Sequence, residues 1–203
     1  STDTSSSSWF FGMNDLELRK TRFNYNDDNL VEQPTGVDYD HVGLSYLDLS
    51  LSDIELISKG VDCQINSLSF FEKSGFQVDK FSSKFKISPT GIIAQNLKVE
   101  TPYSDIDGNV TFLTDNYAGL ANFIYDVDIE SSFKKTKVDF KDICFFAPRL
   151  NCLHKSLYFS GEINGSISNL KGRNLDILID DGTRFKGDAD ISGLPSPEDM
   201  FMY

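Results

Sequence analysis

Histidine, tryptophan and basic side chains are scarce in this chain of 203 residues, and long apolar runs are missing. Two His and one Trp occur, and 19 Lys and Arg stand against 31 Asp and Glu, for a formal net charge of −12. A surface so acidic excludes nucleic acid as a partner, because phosphate binding takes Lys/Arg patches. It also speaks against docking on anionic lipid headgroups. The longest apolar run, Ile143 to Ala147, is far short of the ~20 residues that span a bilayer as a helix. Residue 1 is Ser, no secretory leader is visible, and the end at Met200-Phe201-Met202-Tyr203 has no tail signature. The expectation is a cut-out of a longer protein.

Catalytic patterns are lacking too. His41, near Asp38 and Asp40 in a turn-like stretch, and His154 have no partners at metal-ligand spacing. Asp105-x-Asp107-Gly108 lacks the further acidic ligands of a calcium loop. No glycine-rich phosphate loop is present. Carboxylates such as Asp126 and Asp128 read as a solvated strand face. No enzyme, metal or cofactor is expected. Of the three cysteines, none lies in a C-x-x-C, and two readings stay open: buried thiols throughout, or a Cys144–Cys152 disulfide across a short loop with Cys63 buried and reduced.

What is present is alternation. The 17 Phe and 8 Tyr favour strands, helical periodicity is nearly absent, and apolar and polar residues alternate as in half-buried strands. Leu47, Leu49 and Leu51 share one parity, as do Phe85 and Ile87, Leu97 and Val99, and Ile106, Val110 and Phe112. Phe123, Val127 and Ile129 follow, then Val138 and Phe140, then Leu157, Phe159, Ile163 and Ile167. Leu175, Ile177, Phe185 and Ile191 close the series, and Ile65 belongs to an earlier strand. Turn signals separate about a dozen strands of roughly 5–11 residues. The chain thus reads as all-β, with a flexible serine-rich start over 1–8, one strand-rich stretch over 9–194 and a tail over 195–203.

A repeat lies inside that stretch. Asn96-Leu97-x-Val99 matches Asn174-Leu175-x-Ile177, and Ile106-x-Gly108-Asn109-Val110 matches Phe185-x-Gly187-Asp188-Ala189, so 81–112 and 159–191 are related. Gly108, Gly165 and Gly187 sit among the apolar positions. Glycine there removes a side chain from the inward face and lets a sheet curl, so the expectation is one elongated, strongly curved antiparallel sheet.

Four stretches carry a resemblance: Leu44-x-x-Leu47-x-Leu49-x-Leu51-Ser52-Asp53-Ile54; Ile65-Asn66-Ser67-Leu68-Ser69-Phe70-Phe71-Glu72-Lys73-Ser74-Gly75-Phe76; Asn96 to Gly108; and Gly161-x-Ile163-x-Gly165 through Ile191-Ser192-Gly193-Leu194-Pro195. They resemble the Bacteroidetes-type TamB family within the AsmA-like bridge-like lipid-transfer proteins, and they cover most of the chain. The resemblance implies a taco-shaped groove whose apolar lining shields phospholipid acyl chains between inner and outer membranes. It also implies periplasmic residence, inner-membrane anchoring of the parent protein, and pairing with an outer-membrane barrel of the TamA/BamA type. The periodicity alone gives one oily face per strand. It also suits a β-sandwich binding module of an adhesin or glycan-binding protein, or an outer-membrane protein assembly factor acting through a strand edge.

Overall fold

The computed structural model describes residues 9–57, 59–146, 155–194 and 201–203. It is all-β: one eleven-stranded sheet in which each strand lies between its sequence neighbours and every pairing is antiparallel. The strands are β1 (Phe10–Asn26), β2 (His41–Ile57), β3 (Gly60–Glu72), β4 (Gln77–Ser88), β5 (Gly91–Glu100), β6 (Asp105–Leu113), β7 (Asp128–Asp139), β8 (Ser156–Ser166), β9 (Asn169–Ile179), β10 (Arg184–Ser192) and the two-residue β11 (Phe201–Met202). Three short helices flank β7: α1 (Tyr117–Ala121) and α2 (Phe123–Asp126) before it, α3 (Phe140–Phe146) after it. The sheet is not closed into a barrel. None of the described helices is long and apolar enough to cross a membrane.

Several strands outrun the expected 5–11 residues; β1 and β2 have 17 each. The alternation breaks inside them because they are bulged. Lys20, Tyr46, Asp53, Asn96, Lys135 and Asn174 all have φ near +50° in mid-strand. Each lies at a register shift, with apolar or hydroxyl residues on either side spaced by three rather than two: Leu18 to Thr21, Leu44 to Leu47, Leu51 to Ile54, Ala94 to Leu97, Phe133 to Thr136, Gly172 to Leu175. An extra residue in the left-handed region advances the strand by one and restores the same face to the core. Asn and Asp supply three of the six positions, as their tolerance of that region predicts.

The bulges free backbone groups, and side chains collect them. The N–H of Lys20 donates to Asp48 Oδ1 at 2.9 Å, that of Asn96 to Asn109 Oδ1 at 2.9 Å, and that of Asn174 to Asp188 Oδ1 at 2.8 Å. The last two are corresponding positions of the two related stretches, whose registers also agree: Leu97 opposes Gly108 and Val99 opposes Ile106, while Leu175 opposes Gly187 and Ile177 opposes Phe185. Fully buried hydroxyls do the same work. Ser83 donates to Gln95 O at 3.0 Å, and Thr136 donates to Asp107 O at 3.1 Å while accepting from Asp107 N at 3.2 Å.

These bulges make a testable demand on one residue. Asn96→Val places a β-branched side chain at φ +51° and is expected to lower unfolding free energy by about 1–2 kcal/mol. Asn96→Gly is expected to stay within about 1 kcal/mol of the parent. Urea unfolding followed by circular dichroism measures both, and equal stability of the two variants would contradict this account of the bulge.

Candidate hydrophobic face

Directly paired residues in an antiparallel sheet project to the same side, so the registers trace rows across the face. One row is apolar or glycine through ten strands: Phe11, Leu56, Val61, Ile87, Ile92, Phe112, Ile129, Gly165, Leu170 and Ile191. At about 4.8 Å per strand it runs roughly 43 Å along the sheet. A second row runs Cys63, Phe85, Ala94, Val110, Ser131, Ile163, Gly172 and Ala189. Its one hydroxyl is turned to the backbone, Ser131 Oγ donating to Ile163 O at 2.7 Å.

A third row alternates large and small: Leu97, Gly108, Phe133, Gly161. A Cβ on Gly108 would lie 2.4 Å from Ser132 O and 2.9 Å from the Phe133 ring. One on Gly161, at φ +136°, would lie 2.9 Å from Arg173 O. Both glycines let a neighbour approach the sheet, and the Phe133 ring also meets Phe159 at 5.0 Å.

No second sheet covers this face among the described residues. A buried apolar cluster lies over β2 and β3, where Ile54, Cys63 and Ile65 pack with half-buried Leu49, Leu51, Phe81 and Phe85 around them. Over β8 to β10 the face is open. A cavity of about 340 Å³ lies there, lined by Leu157, Phe159, Ile163, Leu170, Gly172, Leu175, Ile177, Phe185, Ala189 and Ile191. Each lining residue is apolar or glycine. The volume sits at the low end of the ~300–1,000 Å³ usual for ligand sites.

Between those regions the connections around β7 fold over the ends of the strands. At the end near the long row, Phe123 of α2 packs edge-on against Phe112, ring centres 5.0 Å apart, and Tyr117 Oη donates to Lys59 O in the β2–β3 turn. At the opposite end α3 reaches three other connections. The rings of Phe145 and Phe146 lie 5.5 and 4.9 Å from Phe76 after β3, Phe145 O accepts from Val37 N at 2.8 Å, and Asp142 accepts from the Thr101 and Ser104 hydroxyls in the β5–β6 turn.

Four residues expected on the strand face therefore sit elsewhere. Phe123 belongs to α2, and its ring packs on the apolar row rather than forming part of it. Val127 is fully buried in the link between α2 and β7. Phe140 begins α3, and Ile167 lies in the β8–β9 turn. Alternation ran on through these segments because a short helical turn does not reveal itself over four or five residues. Likewise Asp126 is helical rather than on a strand face. His41 is buried, its Nδ1 2.9 Å from Asp38 Oδ2, and it opens β2. The glycines differ in setting: Gly108 is buried, Gly165 half-buried and Gly187 exposed. Ile54, Leu68, Val78, Phe81, Ala94 and Phe133 also lie on this face, and the three-residue spacing across a bulge is the signal that finds Ile54. Cys63 is a free, buried thiol whose ionisation burial pushes up. Cys144 is disulfide-bonded; Cys152 and His154 lie outside the described residues.

Besides Asp142, two further buried carboxylates, Glu72 and Asp38, hold the connections at the α3 end. Burial pushes the Glu72 carboxyl up, but the N–H groups of Ser74 (2.6 Å) and Gly43 (3.2 Å) donate to it and leave it below its usual range. Asp38 is lowered by the Gln33 N–H, against its own burial, with Asp40 N–H and His41 adding to the effect. Both folded values lie below the unfolded ones, about 3.9 for Asp and 4.3 for Glu. Their stabilisation is therefore complete above those values and is lost as pH falls through the folded ones. Stability is expected to be level above about pH 5 and to fall below about pH 4, with Glu72→Gln removing part of that fall; a Glu72→Gln profile parallel to the parent's would refute the assignment to Glu72.

Searches of family models, curated proteins and solved structures returned no match to this chain, so the sheet, its uncovered apolar rows and the cavity at β8 to β10 are what define it.

Proposed function

We propose that the chain is a non-enzymatic shield for hydrocarbon, its uncovered face forming a trough that holds phospholipid acyl chains out of water. The observation that carries the reading is the all-apolar cavity at β8 to β10, continuous with a row of apolar residues and glycines through ten strands. An exposed methylene costs about 0.8 kcal/mol in water, so a long acyl chain gains roughly 10 kcal/mol from such a lining. Headgroups stay hydrated at the open side.

Curvature of the sheet is part of the proposal. Bulges bend a strand and increase its twist, and every strand pair from β1–β2 to β9–β10 has a register shift. The Tyr117 bond to the β2–β3 turn joins segments separated by β3 to β6 in the sheet, which favours a curled arrangement. On this reading the parent protein is anchored in the inner membrane, crosses the periplasm and passes acyl chains toward an outer-membrane barrel of the TamA/BamA type. A β-sandwich module needs two facing sheets, and the described strands belong to one.

Lipid co-purification tests the reading. The purified chain is expected to carry phospholipid detectable by native mass spectrometry. Ile163→Asp puts a carboxylate in the cavity lining from β8, and Ala189→Phe fills the cavity from β10; each is expected to reduce bound lipid at least fivefold with the strand circular dichroism signal retained. Lipid-free wild-type protein, or folded variants that keep their lipid, would sink the proposal.

A further inference from the structure

We infer that the free edge of β1 pairs with β1 of a second copy of this chain, antiparallel and centred on Leu18, so that two sheets join into one. β1 is the end strand of the sheet, and among the described residues only β2 pairs with it. It is 17 residues long, contains no proline, and leaves Phe10, Phe11, Phe23 and Tyr25 exposed. A long edge strand presents unpaired backbone N–H and C=O groups that another strand can complete. The charges of β1 select that strand. All of them are sorted by sign about Leu18: Asp15 and Glu17 precede it, and Arg19, Lys20 and Arg22 follow it. A strand with this order is complementary to itself reversed, as a two-fold interface requires.

Parity and the bulge set the register. Residues paired across an antiparallel junction lie on one face, so Leu18 meets the partner's Leu18 and Glu17 meets the partner's Arg19. Lys20, at φ +48°, is the bulged residue, and its N–H is taken by Asp48 of β2. Beyond it the count advances by one, so Leu16 meets the partner's Thr21 and Asp15 the partner's Arg22. Each of these ion pairs forms twice by symmetry. Centring on Glu17 or on Arg19 would instead set like charges against each other, which is unfavourable. Leu16 and Leu18 oppose Leu51 and Leu49 of β2, so the apolar faces of both copies come to the same side and run on across the junction. The charges are available for it. Arg19 donates only along its own strand, to Glu17 Oε1 at 2.8 Å, and Asp15 and Arg22 have no ion-pair partner among the described residues. β10, near the other edge, carries a similar order, Arg184 and Lys186 before Asp188 and Asp190, but β9 already engages it. Arg184 and Lys186 pair with Asp176, Asp190 pairs with Arg173, and Asp188 accepts from Asn174 N–H. Ile191 and Ser192 of β10 are further covered by β11. Exposed ion pairs contribute little energy; in the β1 junction they select the register, while backbone hydrogen bonds and the leucines hold it.

Sedimentation equilibrium of the whole chain tests the pairing, with Glu17→Arg, Arg19→Glu and the double variant, each checked for retained strand circular dichroism. The wild type is expected to dimerise. Either single variant puts like charges at two places in the junction and is expected to raise the dimer Kd at least tenfold. The double variant exchanges the two signs and is expected to return to within threefold of the wild type. An equimolar mixture of the two single variants is expected to form a heterodimer, since one brings only basic and the other only acidic side chains to positions 17 and 19. A wild type that stays monomeric to about 100 μM, or that forms larger assemblies in place of dimers, would overturn the inference. So would single variants that dimerise as the wild type does, or a mixture or double variant that fails to restore the dimer. No lipid enters these measurements, so their failure leaves the hydrocarbon reading standing.

Discussion

A single sheet has two faces and, among the described residues, no second layer covers the apolar one. Strands normally bury their oily side against another sheet or a row of helices, and the rest of this molecule follows from the lack of either. Glycines thin the face where Phe133 lies between Gly108 and Gly161. Short helical connections are drawn onto its ends, and β8 to β10 keep a cavity with nothing polar in its lining. The opposite face is free to be charged. Arg184 and Lys186 on Asp176, and Arg173 on Asp190, place ion pairs across β9 and β10 and hold both carboxyls below their usual range. Exposed pairs of this kind contribute little to stability; their consequence is a wet outer surface on an acidic chain.

The bulges reconcile long strands with a single apolar face. A 17-residue strand of strict alternation would twist its ends far apart, and a register error of one residue would turn every side chain over. A left-handed residue at mid-strand bends the strand and resets its phase, and at Lys20, Asn96 and Asn174 a side-chain carboxyl or amide on the neighbouring strand accepts the N–H that the bulge leaves free. Asn96 with Asn109 and Asn174 with Asp188 show the device at equivalent places in two strand pairs. Both hydrogen-bond partners of each device are therefore written into the repeated sequence, one at the bulge and one directly after a glycine.

Strand identity, the all-β class and much of the apolar face were legible because period-two alternation is a local property: Leu97 and Val99, or Leu157 and Phe159, declare a side without reference to anything distant. The turn signals at Pro89-Thr90-Gly91 and Asp181-Gly182 likewise reflect only local backbone preference. Strand length and phase were not legible where Tyr46 or Lys135 takes φ near +50°, because neither residue type announces that conformation; neighbouring strands impose it. The same holds for Phe123 and Phe140. Their residue types suit a strand, and only the contacts to Phe112 for the first and to Lys155 for the second show them in helical connections laid over the sheet. Which apolar residues end up beneath a cover and which border an open cavity is decided by where those connections land, a matter of distances between segments far apart in the chain that no local pattern encodes.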